Sequence, residues 1–309
     1  MSLLSLILPN GVSGFGYGTT ATQVLTNNDL TGKTILVTGC NSGLGLETIR
    51  VLIASGCSVV GTARTVEKAT EALTSVGADM NKNFGVACEL SDSASCRSAV
   101  AAVLRAGHKL DAIIANAGIM ALPKHEKSNN LELQLFTNHF GHFILVTGLL
   151  PALTPKGRVV MLSSAAHAMA PTGCIEFDNL SGDRGYSAWK HYGQSKIANL
   201  LFAKELSRRM EGTEQTANSV HPGVIITNLS RHMGGVVNWL FGLSDRVLLK
   251  TVAQGAATQV YVATHPSLDK VSGKYFADCN ILKARKDTED PEIAKKLWEV
   301  TEEIVKTLP

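Results

Sequence analysis

The chain alternates short apolar, β-branched runs with longer segments that are apolar at helical period. Thr34-Ile35-Leu36-Val37-Thr38 opens the series, and Ser58–Ala63 reads as the second strand. Helix 66–77, strand 84–88, helix 92–106, strand 111–115, helix 131–150, strand 157–163, helix 190–211 and strand 216–220 follow. Strict alternation predicts an α/β fold with a doubly wound parallel sheet, covered on both faces, that takes ligands at the carboxyl ends of its strands. Residues 254–265 read as one more helix, 273–277 as a last strand and 291–306 as an amphipathic closing helix with Trp298 in the core, giving about seven strands in one domain. Residues 1–29 are rich in Gly, Ser, Thr and Asn without sustained periodicity, so they form an extension to a domain spanning 30–309.

Composition narrows the function. Lys plus Arg number 29 against 26 for Asp plus Glu, and a net charge of +3 gives no reason to expect nucleic acid or an acidic membrane as partner. Six scattered cysteines (Cys40, Cys57, Cys88, Cys96, Cys174, Cys279) include no C-x-x-C, which points to reduced packing thiols in a cytosol-like compartment. The apolar run Leu3–Leu8 ends at Pro9, too short for a signal or a spanning helix. A loose anchor or an inert tail both fit it.

The first strand runs into Gly39-Cys40-Asn41-Ser42-Gly43-Leu44-Gly45 and a helix start. Glycines there permit a tight turn and let backbone N–H groups approach a pyrophosphate at the positive end of the helix. The second strand ends where an NAD-binding protein usually offers an acid to the ribose, but here Arg64 stands, with Lys68 beyond and no acid between Cys57 and Val66. NADP(H) is therefore the preferred cofactor, because a 2′-phosphate meets cations. The alternative is that Arg64 is a solvated charge at a helix start.

Tyr192 and Lys196 stand four apart on one helix face, with the buried-helix run 197–206 behind them. A neighbouring cation favours a phenolate, so Lys196 tunes Tyr192 as acid/base. The pair alone is a frequent chance pattern. Asn116-Ala117-Gly118, Ser163-Ser164 and Pro222-Gly223 follow strands at the same ligand end. Among nine histidines only His139 and His142 approach a metal-ligand spacing, and they read as structural.

Thr38-Gly39-x-x-x-Gly43-x-Gly45, Asn116-Ala117-Gly118, Asn138, Ser164, Tyr192-x-x-x-Lys196 and Pro222-Gly223, in that order across about 30–304, resemble the short-chain dehydrogenase/reductases. Asn138-His139-Phe140-Gly141-His142-Phe143 and Gly273-Lys274-Tyr275-Phe276-Ala277-Asp278-Cys279 are similar to the retinol-dehydrogenase-like branch. The resemblance implies a Rossmann-type fold and an NADP(H)-dependent oxidoreductase acting on lipophilic alcohols and carbonyls. It implies that Tyr192 exchanges the proton at the substrate oxygen, Ser164 hydrogen-bonds that oxygen, and Lys196 holds the ribose hydroxyls and lowers the tyrosine pKa. Asn138 would support a proton path from Lys196, Asn116 with Ala117 and Gly118 would line the cofactor cleft, and Thr227 would reach the cofactor. Glu89-Leu90 occupies the place where many relatives carry an Asp that contacts adenine.

The Ser164-to-Tyr192 spacing of 28 residues is long, and His167, Met169, Phe177, Tyr186 and Trp189 within it either wall a substrate pocket or pack locally. The stretch 224–250 crowds Met233, Val236, Val237, Trp239, Leu240, Phe241 and Leu243 beside three glycines, which suits a lid over a lipophilic substrate or a surface against a membrane or partner. The expectation is a carbonyl reductase of the cytosol, with peripheral membrane contact and a homodimer both left open. Cofactor-sensing regulation without catalysis is the competing reading. A sugar-nucleotide epimerase is disfavoured by the glycine spacing and by the lack of a large C-terminal substrate domain.

Overall fold

The computed structural model describes residues 8–225 and 249–309. Its main sheet comprises β1 (Thr34–Thr38), β2 (Ser58–Ala63), β3 (Phe84–Ala87), β4 (Leu110–Ala115), β7 (Leu153–Leu162), β8 (Thr216–His221), β9 (Tyr275–Ala277) and β10 (Asn280–Ile281). A separate hairpin pairs β5 (Lys127–Ser128) with β6 (Leu131–Glu132). The order β10-β9-β8-β7-β4-β1-β2-β3 makes a doubly wound sheet, parallel except for the β9–β10 pair. Among the described residues no helix is long and apolar enough to cross a membrane.

Period-two alternation explains why both faces are buried. Ile35 and Val37 enter the core under α1 (Ala21–Leu25), α2 (Gly43–Ala54), α3 (Val66–Ser75) and α8 (Ala257–Thr264), while Leu36 points to the opposite core. That second core lies under α4 (Ser93–Arg105), α6 (Ala188–Arg209), α9 (Pro291–Thr307) and a compound helix α5 (133–149). Trp298 of α9 stacks on Phe202 of α6 at 5.3 Å and meets Phe143 of α5 edge-on at 4.9 Å. The closing helix therefore buttresses the helix that carries Tyr192 and Lys196.

Two of the departures from the sequence expectation have a clear physical cause. Helix α5 starts at Leu133, not 131, because Asn129 and Asn130 (φ 50° and 62°) turn the β5–β6 hairpin and the buried Glu132 carboxylate then accepts from the Gln134 and Leu135 N–H groups. An eighth strand appears because Asp278 and Cys279 (φ 52° and 60°) make a two-residue turn into β10. The described part of the extension, residues 8–29, packs on the domain: Ala21, Val24 and Leu25 are core residues, and Asn280 of β10 accepts from Ser13 N–H and donates to the Phe15 carbonyl. All six cysteines are buried and unpaired. Trp298→Ala is expected to cost about 3–5 kcal/mol, the usual range for deleting a buried Trp. Urea denaturation should show this as a lowered midpoint at unchanged slope; a cost below about 1 kcal/mol would remove α9 as the buttress.

Candidate active site

The glycine turn is built by close approach. Gly39 sits at φ 65°, and a Cβ there would lie 2.9 Å from the Ala117 Cβ; one at Gly45 would lie 2.1 Å from the Gly39 carbonyl oxygen. The start of α2 is thus pressed onto the turn. Gly43 also has positive φ, and the N-cap residue Ser42 makes no side-chain cap, so backbone N–H groups at the end of a 12-residue helix face an exposed Asn41-Ser42 edge. Asn116 Nδ2 donates to the Thr38 carbonyl (2.8 Å), holding the β4 loop to the β1 loop. Leu44 packs partly buried against the core beneath.

Arg64 is exposed directly after β2, and Thr65 caps α3 by accepting from the Lys68 N–H. The Glu89 carboxylate accepts from the Ser91 hydroxyl (2.8 Å) and Ser91 N–H, while the Leu90 side chain enters the core. The uncapped helix start, the exposed cation and the absence of an acid at the end of β2 fit a phosphorylated dinucleotide.

Tyr192 and Lys196 lie one turn apart in α6 and are both buried, with Nζ of Lys196 at 5.7 Å from the Tyr192 ring centre. Nζ donates to the Leu162 carbonyl at the end of β7 (3.3 Å), and Asn199 Nδ2, one turn on, donates to the same oxygen (3.0 Å). Ser163 Oγ donates to the Lys196 carbonyl (2.8 Å), a structural role. Gly193 lets the 3₁₀ turn Ala165–Met169 lie against α6, since its Cβ would fall 2.6 Å from the Ala166 carbonyl. That contact brings Ser164, whose Oγ accepts from Ala166 N–H, into hydrogen-bonding reach of the Tyr192 phenol.

Electrostatics departs from the sequence expectation. Burial pushes the Tyr192 phenol up to about 12, with Ser164 pulling it back. Burial also pulls the Lys196 ammonium down to about 8. Desolvation outweighs the neighbouring cation here, so Tyr192 stands protonated at neutral pH and ready to donate.

Asn138 lies in a π-helical segment, Phe136–Phe140, where the Gly141 N–H reaches back to Phe136. Its Oδ1 accepts from Ile119 N–H (2.9 Å), and its Nδ2 donates to the Ile119 carbonyl (2.9 Å) and to Ser195 Oγ (2.8 Å). Ser195 in turn donates to the Tyr192 carbonyl. A Cβ on Gly118 would fall 2.8 Å from Asn138 Oδ1 and 3.2 Å from Lys196 Nζ, so the Asn116-Ala117-Gly118 loop reaches α5 and α6 only because it lacks a side chain there.

Ser195 and His221 were not anticipated as parts of the site, while His167 was expected either to wall a substrate pocket or to pack locally. His221 Nδ1 accepts from Ala165 N–H (3.2 Å) and Gly223 N–H (3.3 Å), tying the loop after Ser164 to the loop after β8. Burial pushes His221 down to about 4, so it stays the neutral acceptor those bonds need. His167 Nδ1 meets the Ser164 carbonyl at 2.7 Å. Only its adjacency to Pro222 marks His221 in the sequence. Gly223 (φ 93°) rests on Lys250, which is buried, paired with Asp278 and set against the Tyr17 ring at 4.8 Å.

The long insertion divides. Phe177 packs against the core and Tyr186 donates to the Leu122 carbonyl, whereas Met169 and Trp189 are 51% and 38% exposed, with Trp189 edge-on to Tyr192 at 6.1 Å. Thr227 and most of the expected lid, 226–248, lie outside the described residues. Among the described residues no cluster of three or more His, Cys, Asp or Glu is placed to hold a metal; His139 meets Thr301 instead.

Residues 33–234 match the family model described as short chain dehydrogenase. The chloroplastic short-chain dehydrogenase TIC 32 A of Brassica napus is 40% identical over 311 residues, covering 97% of each chain. Human retinol dehydrogenase 14 is 36% identical, covering 89% of this chain and 86% of its own. A solved structure of an uncharacterized Mycobacterium paratuberculosis protein superposes with TM-score 0.74 at 30% identity, covering 95% and 98% of the two chains. A tightly packed glycine turn between β1 and α2, a buried Tyr-Lys pair approached by Gly118, and relatives that match from end to end lead to one conclusion: this chain belongs to the short chain dehydrogenase family of oxidoreductases.

Proposed function

We propose that the protein is an NADP(H)-dependent reductase that interconverts a lipophilic aldehyde or ketone and its alcohol. The observation that carries this is the convergence of the Tyr192 phenol, the Ser164 hydroxyl and the Lys196 ammonium beside the glycine turn. When bound, the nicotinamide supplies or accepts the hydride, and the chain need only orient it and manage one proton.

Gly39, Asn41, Ser42, Gly43, Leu44 and Gly45 would cradle the pyrophosphate, and Arg64 would pair with the 2′-phosphate. Glu89 and Leu90 would border the adenine, Asn116, Ala117 and Gly118 the ribose side of the cleft, and Pro222, Gly223 and Thr227 the nicotinamide side. An ammonium carries three donors, and Lys196 spends one on Leu162, which suits it to hold ribose hydroxyls as well. Tyr192, protonated at neutral pH, gives its proton to the substrate oxygen while Ser164 donates a hydrogen bond to the same atom. Lys196 then stabilises the phenolate, and Asn138 supports the path by which the proton is replaced.

Met120, Met169 and Trp189 offer the substrate few charges, and an unpaired charge desolvated among them would cost on the order of several kcal/mol. Apolar substrates are therefore favoured, and a pool rich in NADPH sets the direction as reduction. Six unpaired buried thiols suit a reducing compartment, the cytosol in this reading. A cofactor-sensing regulator of the same fold would not require Tyr192, Ser164, Lys196 and Asn138 together.

Four measurements test the proposal. A panel from retinal and long-chain aldehydes to sugars and carboxylated ketones should show NADPH-dependent turnover concentrated at the apolar end. Tyr192→Phe should lower it by about 10²–10⁴-fold, the range of general acid catalysis, with NADPH still bound. Equal turnover in that variant would reject the mechanism, and a preference for charged substrates would reject the substrate class.

Arg64→Asp should weaken NADPH by about 10–100-fold, as expected for loss of one charge-assisted pair, and spare NADH. Unchanged NADPH affinity would return Arg64 to a solvated surface charge.

The reduction rate should hold from pH 6 to 7.5 and fall about tenfold per pH unit above about 8. The sign follows from Lys196: its ammonium is present below its depressed value of about 8 and lost as pH rises through it. A rate that stays flat to pH 10 would exclude Lys196 as the charge that stabilises the phenolate.

A further inference from the structure

His142 is completely buried four residues after Asn138, and both of its ring nitrogens are engaged. Nδ1 lies 2.9 Å from the Asn138 carbonyl oxygen. A carbonyl only accepts, so Nδ1 carries the proton and Nε2 is bare. Nε2 lies 2.9 Å from Thr38 Oγ1, which must therefore donate its hydrogen to the ring. The same Oγ1 accepts from the Ala117 N–H at 2.9 Å. Every donor and acceptor in this chain has a defined direction: Ala117 N–H to Thr38, Thr38 O–H to His142, His142 N–H to Asn138.

Each end of that chain belongs to a different part of the site. Thr38 is the last residue of β1, immediately before the Gly39 turn. Ala117 precedes Gly118, the residue wedged against Asn138 Oδ1 and Lys196 Nζ. Asn138 holds Ser195, and Ser195 holds the Tyr192 carbonyl. Burial and the Lys196 charge push the imidazole down to about 4, which keeps it in the neutral form that this bonding requires.

We propose that His142 is a positioning residue: a neutral strut whose Thr38 bond sets the glycine turn for cofactor binding and whose Asn138 bond sets the acid/base helix relative to it. The catalytic half of this inference rests on the reductase reading above; the cofactor half does not.

The two bonds separate in two variants. His142→Asn places an amide donor near the Asn138 carbonyl but falls short of Thr38. His142→Gln places a carbonyl acceptor near Thr38 but leaves the Asn138 carbonyl without its donor. His142→Asn is expected to raise the NADPH dissociation constant about tenfold, the worth of one buried hydrogen bond, with saturated kcat falling by less than about threefold. His142→Gln should show the reverse, about tenfold in kcat and less than about threefold in affinity, since a small misplacement of reacting groups is felt in the chemical step. Thr38→Val should weaken NADPH at least as much as His142→Asn.

Thermal midpoints of all three variants establish that they fold. Losses in affinity and kcat that are equal between His142→Asn and His142→Gln, and that track the thermal midpoint, would reduce His142 to a core residue. The affinity titration uses no turnover, so the two proposals fail separately. Full activity in Tyr192→Phe would reject the acid/base assignment while the titration still tests the strut, and unchanged NADPH affinity in both His142→Asn and Thr38→Val would reject the strut whatever Tyr192 does.

Discussion

The constraint on which the rest of this structure depends is a charge taken out of water. Lys196 is 5% exposed on a helix whose central turns, 191–203, are buried on every side, and burying an ammonium costs on the order of several kcal/mol unless polar groups surround it. The fold answers by ending β7 at Leu162 with its carbonyl aimed at Nζ, by orienting that carbonyl with Asn199, and by fixing the Lys196 backbone through Ser163. These partners soften the penalty without removing it, and the remaining imbalance depresses the ammonium into the range where it responds to pH. A residue tuned this way is costly as structure and useful as chemistry.

The same burial acts on Tyr192 in the opposite sense. Desolvation disfavours a phenolate, so the phenol stays protonated at neutral pH. Under the mechanism we propose, a developing negative charge on a substrate oxygen draws that proton away, and Ser164 and Lys196 receive the change of charge from two sides. Neutral histidines complete the scheme. His142 and His221 sit close to the site as hydrogen-bonding frames, and their burial prevents them from adding positive charge beside Lys196 at ordinary pH. Polar order here comes from directed bonds among Asn138, Ser195, Thr38 and His142, although the buried Asn199 Oδ1 and Gln194 Nε2 of the same helix have no partner.

The two halves of the site are brought together by missing side chains. Gly45 lets α2 press on the Gly39 carbonyl, Gly118 lets the β4 loop reach Asn138 and Lys196, and Gly193 lets the Ser164 turn lie on α6. Each contact is too close for a Cβ, so these glycines serve close approach as much as turning. The start of α2 and the Tyr192–Lys196 pair of α6 are therefore joined through backbone, which holds geometry better than long side chains do.

Much of this was legible in the residues alone. Period-two runs such as Ile35-Leu36-Val37, alternating with helical runs, determined a parallel sheet covered on both faces, and the i, i+4 spacing of Tyr192 and Lys196 put them on one helix face. The glycine turn after β1 was legible too, and in the structure it is a turn of close approach against Ala117. Tertiary structure alone decided the rest. The Asp278-Cys279 turn escaped the pattern because left-handed backbone at a Cys is stabilised only by a distant partner, the Thr258 hydroxyl that accepts from Cys279 N–H. The direction of the Tyr192 shift depends on how deeply the phenol is buried, which no local spacing records. His142 and His221 became parts of the site because Thr38 and Ala165, distant in sequence, arrive opposite them. Short-range periodicity is written in neighbouring residues, whereas hydrogen-bond partners more than 50 residues apart exist only once the sheet has closed over its helices.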